Sequence, residues 1–91
     1  MPELGNEELI PWILGKFARH GWWKAKHTSF DNVAKGAPSH LKDKIEDAAK
    51  QLIKDNFLIK KPTDYGLEVS LNFQRKEEIF AIIEKWKIKK S

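Results

Sequence analysis

The sequence predicts an α+β fold of four helices and one β-hairpin, and three observations carry that expectation. Apolar residues recur at helical spacing in separate stretches over 9–18, 41–53 and 79–86. The period changes to two between Phe57 and Leu71. Gly21, Gly36, Pro38, Asn56 and Asn72 stand between these stretches, at places where the chain must leave one element and enter the next.

The first helix is expected over 7–20. Asn6 is its candidate cap, Glu7 and Glu8 occupy the first turn where the helix dipole favours acids, and Pro11 comes early enough to be tolerated or to mark the start. Leu9, Ile10, Ile13, Leu14, Phe17 and Ala18 form the apolar stripe, and Gly21 suits the left-handed exit. Residues 22–28 have no helical stripe and read as an extended link with a short strand over 22–25. Thr28-Ser29-Phe30-Asp31 matches a capping pattern, so a short second helix is expected over 29–35, buried through Phe30, Val33 and Ala34 and stopped by Gly36.

The third helix, over 39–55, is the most amphipathic, with Leu41, Ile45, Ala48, Ala49, Leu52 and Ile53 on one face. Its start is open between residues 39 and 44, because both Ser39 and the pair Asp43 and Glu46 can cap it. Asn56 is the exit. A β-hairpin follows over 57–72, its long loop running from Pro62 to Gly66 and its second strand alternating Leu67, Val69 and Leu71 with polar residues. Asn72 then caps a last helix over 73–87, with Ile79, Phe80, Ile82, Ile83 and Trp86, trailed by Lys85, Lys87, Lys89 and Lys90.

Ninety-one residues make one domain, 1–91, and 41% hydrophobic content separates the chain from disordered sequences. Without cysteine there is no disulfide framework and no thiolate metal site. No apolar run approaches the roughly 20 residues that span a bilayer, and the start is acidic at Glu3, Glu7 and Glu8 where a signal peptide would be basic. The expectation is a cytoplasmic chain without a membrane partner. A net charge of +4 favours polyanionic partners. The lysines gather over 22–44 and at the tail.

The order helix, extended link, short helix, longer helix, hairpin, helix resembles the winged-helix fold, an α+β architecture whose third helix enters the major groove while the hairpin wing lies beside the phosphates. More narrowly, Lys26-His27-Thr28-Ser29, Asp31-Asn32, Lys35-Gly36-Ala37-Pro38, Lys61-Pro62-Thr63-Asp64-Tyr65-Gly66 and Val69-Ser70-Leu71-Asn72 are similar to a group of small archaeal winged-helix proteins. The resemblance covers nearly the whole chain. It implies the fold, and the narrower group supplies no function to carry over; taken with the local residues, the expectation is a nucleic-acid partner, double-stranded DNA first, for a transcriptional regulator or chromosome-associated factor.

Local features point the same way, each beside a plainer reading. Lys24, Lys26, His27, Thr28, Ser29, Ser39, His40, Lys42 and Lys44 cluster near the starts of the second and third helices, where amides, hydroxyls and ammonium groups suit phosphate. Alternatively, Thr28 and Ser29 only cap and the lysines are solvated surface. Lys60, Lys61, Thr63 and Tyr65 surround the wing turn, where Tyr65 either reaches sugar or base or packs back over its hairpin. Against groove entry, Asp43, Glu46 and Asp47 interrupt the lysines of the third helix. The only arginines, Arg19 and Arg75, lie outside that helix and the wing, so modest sequence specificity is expected.

Other classes fit less well. His20, His27 and His40 match no HExxH spacing and no phosphate-cradling glycine loop is present, so neither an enzyme nor a cofactor or metal site is expected. RNA binding and protein interaction are the alternatives, the latter because Trp12, Trp22, Trp23 and Trp86 are many tryptophans for this length. The wide apolar face of the last helix also raises a homodimer paired through it. Pro11-Trp12-Ile13 is similar to the signature of the all-helical PWI domain, which the hairpin argues against.

Overall fold

The computed structural model describes residues 4–90, the side chain of Lys90 excepted, so Glu3 of the acidic start lies outside the described residues. Among the described residues the fold is α+β, with three α-helices and one three-stranded antiparallel sheet. Helix α1 spans Leu9–His20 and follows a 3-10 turn over Asn6–Glu8. Asn6 lies inside that turn and is not the cap; the Glu8 carboxylate accepts from the Gly5 amide at 3.3 Å. Pro11 sits in the first turn, where its missing N–H costs no helical bond. At the far end Gly21 takes a φ of +70°, and its amide and that of Trp22 donate to Ala18 and Phe17 carbonyls, as left-handed exits do.

Strand β1 is Thr28–Ser29, six residues past the expected position. The expected strand over 22–25 reduces to one parallel bridge between Trp23 and Leu71, because Lys24 adopts a φ of +54° and turns the chain away. The expected helix over 29–35 is likewise a single 3-10 turn, Phe30–Asn32, capped by Ser29 Oγ accepting from the Asp31 amide at 3.3 Å. A stretch so short between a strand and Gly36 repays little of the cost of helix nucleation. Val33, just after it, is nonetheless fully buried.

What orders this segment is Lys16. It lies on the buried side of α1, and its ammonium donates to the main-chain carbonyls of Asn32 (2.5 Å), Lys35 (2.7 Å) and Val33 (3.2 Å). Burial, and then the nearby charges of Arg19 and Lys35, hold its pKa below the ordinary lysine value. The folded chain thus binds this proton less tightly than the unfolded one, so this group's contribution to stability grows as pH rises toward that ordinary value.

A 3-10 turn, Ser39–Leu41, leads into α2, Lys42–Lys54, whose buried face is Ile45, Ala49 and Leu52. Asn56, with a φ of +66°, makes the exit as expected. Strands β2, Leu58–Thr63, and β3, Gly66–Leu71, pair in register from Leu58 opposite Leu71 to Thr63 opposite Gly66. The loop is therefore two residues, Asp64-Tyr65, shorter than the expected Pro62 to Gly66. Pro62 is accommodated because β2 is an edge strand. The sheet order is β1-β3-β2.

Asn72 caps the last segment, its Oδ1 accepting from the Gln74 amide at 3.1 Å while its Nδ2 donates to the Asn56 carbonyl at 2.8 Å. A 3-10 turn over Phe73–Arg75 opens into α3, Lys76–Lys90, which runs three residues beyond its expected end. Ile79 and Ile83 of α3 pack into one core with Ile13, Leu14 and Phe17 of α1, Ile45 and Leu52 of α2, and Leu58, Val69 and Leu71 of the sheet. Among the described residues no helix is long and apolar enough to cross a membrane.

Lys16→Met keeps the apolar stem and removes the three donated bonds. It should lower unfolding free energy by about 1–3 kcal/mol in a denaturant titration, the range for leaving a buried carbonyl, here that of Val33, without a donor; a change below about 0.5 kcal/mol, the scale of an ordinary surface substitution, would contradict this role.

Candidate nucleic-acid interface

The hairpin tip is built by Thr63, whose Oγ1 accepts from the Tyr65 amide at 3.2 Å and donates to the Gly66 carbonyl at 2.8 Å. With the turn fixed, the Tyr65 side chain is 100% exposed and does not pack back over the hairpin. Gly66 takes a φ of +130°, a conformation open to glycine and strained for other residues. Lys60 and Lys61 are exposed behind the tip on the edge strand, and consecutive strand residues present them to opposite faces. Lys61 stands across from Glu68, which also faces Ser29 on β1.

The second exposed basic group is the start of α2. Ser39, His40, Lys42 and Lys44 are all exposed, at the helix end whose dipole favours anions. Asp43 and Asp47 are exposed on the same helix, and Glu46 is half-buried. The corner Asp55–Phe57 joins α2 to β2. Thirteen helical and six strand residues each reach about 20 Å from that corner. Lys42 and Tyr65 therefore occupy the outer ends of two arms that pack against each other.

The expected residues over 24–29 divide differently. Thr28 is buried and accepts from Asn32 Nδ2 at 3.0 Å, while Ser29 serves as the turn cap. His27 Nδ1 meets the Glu68 carboxylate, which ties the link to β3. These three have internal tasks. Lys26 is exposed. Lys24 is exposed too, but its ammonium rests 3.9 Å from the ring centre of Phe73, at the base of the hairpin and a strand's length from Tyr65.

Neither arginine stands on α2 or the wing. Arg75 donates to Glu78 through Nε (2.6 Å) and Nη2 (3.0 Å) and to the Asp55 carbonyl through Nη1 (3.1 Å), with its guanidinium over Phe57. It thereby fastens the start of α3 to the corner that carries both arms. Sequence reasoning missed Lys16 and Arg75 in these tasks; for Lys16 the signal was a lysine three residues after Ile13 on a buried stripe.

The apolar face of α3 is largely used within the chain. Ile79 and Ile83 are buried, Ile82 and Trp86 half-buried, and Trp86 Nε1 donates to Glu8 Oε2 at 3.1 Å. A groove of about 560 Å³ remains between α3 and the start of α1, lined by Ile10, Pro11, Ile82 and Trp86 with Glu7, Glu8, Lys85 and Lys89 at its rim. Among the described residues no three His, Asp or Glu side chains lie close enough together to hold a metal ion. No family model, curated protein or solved structure matches the chain.

The hydrogen bond from Arg75 holds the Glu78 carboxyl below its ordinary pKa. A carbon-detected titration should show this lowering, and Arg75→Gln should abolish it. Because the shift is downward, the pair's contribution to stability is complete above the ordinary carboxylate value and is lost as pH falls through the lowered one. A Glu78 titration identical in the two proteins would contradict the assignment.

Proposed function

We propose that the chain is a winged-helix protein that binds double-stranded DNA, with the start of α2 directed to the major groove and the hairpin tip to the neighbouring backbone. Its role is that of a transcriptional regulator or chromosome-associated factor of modest sequence specificity. The element order and the sheet order β1-β3-β2 suit that architecture. The observation that carries the reading is Tyr65, held wholly exposed beside Asp64 at the tip of a hairpin whose edge strand carries Lys60 and Lys61, by a turn that has no other use for its side chain. An aromatic ring kept in water at a fixed position is a contact awaiting a surface.

Charge decides the kind of binding. Lys60 and Lys61 on the wing, with Lys42 and Lys44 at the start of α2, are placed to neutralise phosphates and release their counterions. Along α2 Lys42, Lys44, Lys50 and Lys54 are nearly balanced by Asp43, Glu46 and Asp47, with Asp55 just past the helix end. A helix so balanced gains little from entering deeply into a negatively charged groove. The helix therefore approaches by its first turn, where His40, Lys42 and Lys44 are the side chains within reach of base edges. With no arginine on either arm, bidentate guanine recognition contributes nothing.

Fluorescence anisotropy with a mixed-sequence duplex over a range of salt tests this. Replacing both Lys60 and Lys61 by Ala should weaken binding for every sequence and flatten the log-log salt slope by about 1.8, as should replacing Lys42 and Lys44. Tyr65→Ala should weaken binding at all salts without changing the slope. Wild-type affinity in both double variants, or no duplex binding at low salt, would contradict the proposal.

A further inference from the structure

At the opposite end of the hairpin from Tyr65, three aromatic side chains meet without being buried. The Trp23 ring lies edge-on to Phe73, centres 6.0 Å apart, and tilted against Phe80 at 5.6 Å. Phe73 and Phe80 are each 42% exposed, which is unusual for phenylalanines that have aromatic neighbours to pack with. Two ammonium groups are drawn over the same ring: Lys24 Nζ stands 3.9 Å and Lys76 Nζ 4.7 Å from the centre of Phe73. Lys24 reaches it from a left-handed backbone conformation, uncommon for lysine, held by the Lys26 amide donating to the Trp23 carbonyl at 2.9 Å.

We propose that Trp23, Phe73 and Phe80, with Lys24 and Lys76, form a stacking platform for an unpaired nucleotide of a single-stranded nucleic acid. Aromatic faces flanked by cations are the combination by which proteins hold single strands without reading sequence, since every base has a π-face and every linkage a phosphate. Two ammonium groups held against one ring repel each other, and an arriving phosphate that contacts both offsets that repulsion. A base then takes the ring face that an ammonium vacates. Stacking outweighs the exposed cation–π contact it replaces. A protein surface would match the phenylalanines but not two like charges held over one of them.

The acids nearby set the strength. Glu77 and Glu78 both line the recess of Phe73 and Lys76; Glu78 is engaged by Arg75, whereas Glu77 opposes a phosphate there. The platform is independent of the wing. Six strand residues separate it from Tyr65 by about 20 Å, and its ligand is a strand whose bases are already free. Duplex binding by α2 and the hairpin tip is a separate property.

The test is anisotropy of a short fluorescein-labelled oligothymidylate with the full chain, alongside a labelled duplex. Phe73→Leu should weaken oligothymidylate binding about tenfold and leave duplex binding unchanged. Lys24→Gly removes an ammonium while suiting the left-handed backbone, so it should stay folded, weaken binding and flatten the salt slope by about 0.7. Glu77→Gln should tighten binding, and Tyr65→Ala should affect the duplex alone. Failure of the wild type to bind oligothymidylate, or wild-type affinity in both Phe73→Leu and Lys24→Gly, overturns the platform whatever the duplex does. Loss of duplex binding alone would count against the wing and not against this site.

Discussion

The buried ammonium of Lys16 is the constraint on which the arrangement depends. Between β1 and α2 the chain makes only two short 3-10 turns, so carbonyls such as those of Asn32, Val33 and Lys35 have no α-helical partner and lie open to another donor. Lys16 gathers three of them on a single charged donor. Hydrogen bonds to a charged group contribute about 1.5–3 kcal/mol each, and only such bonds make it tolerable to remove an ammonium from water. The segment is thereby fixed against α1, Val33 is carried into the core, and the approach to α2 is set.

From that fixed segment two arms follow. The pairing of β1 with β3 ties the link before the turn to the hairpin, and Arg75 ties the start of α3 to the corner between α2 and β2. The first tie sits midway along the hairpin and the second at the bases of the arms, and both leave the arm ends exposed. This is how a core of modest size can present Lys42 and Lys44 on one arm and Lys60, Lys61 and Tyr65 on the other. Charge balance along α2 then limits the proposed contact to the arm ends and argues for affinity governed by phosphates.

Legibility followed the range of the interactions. Helices α1 and α2 and the hairpin were readable because each repeats its own period over many residues, and Asn56 and Gly21 marked exits through local backbone geometry. The strand over 22–25 and the helix over 29–35 were misread because those residues answer to distant partners. Lys24 turns the chain where an extended pattern was expected, and the carbonyls of Asn32, Val33 and Lys35 accept from Lys16 where helical carbonyls would accept from amides four residues on. The same reason explains the candidate site. Exposure of Lys42 and Lys60 could be anticipated from the apolar pattern around them, whereas burial of Thr28, engagement of His27 by Glu68 and the meeting of Trp23 with Phe73 and Phe80 depend on the strand order.

The central claim is that the ends of the two arms form one nucleic-acid surface. An amide chemical-shift titration of the labelled chain with a mixed-sequence duplex at low salt, then at higher salt, tests it most directly. The account predicts shifts over residues 39–44 and 60–66 that appear together along one titration curve and retreat as salt is added. No shifts in either segment, or shifts confined to α1 and α3, would contradict it.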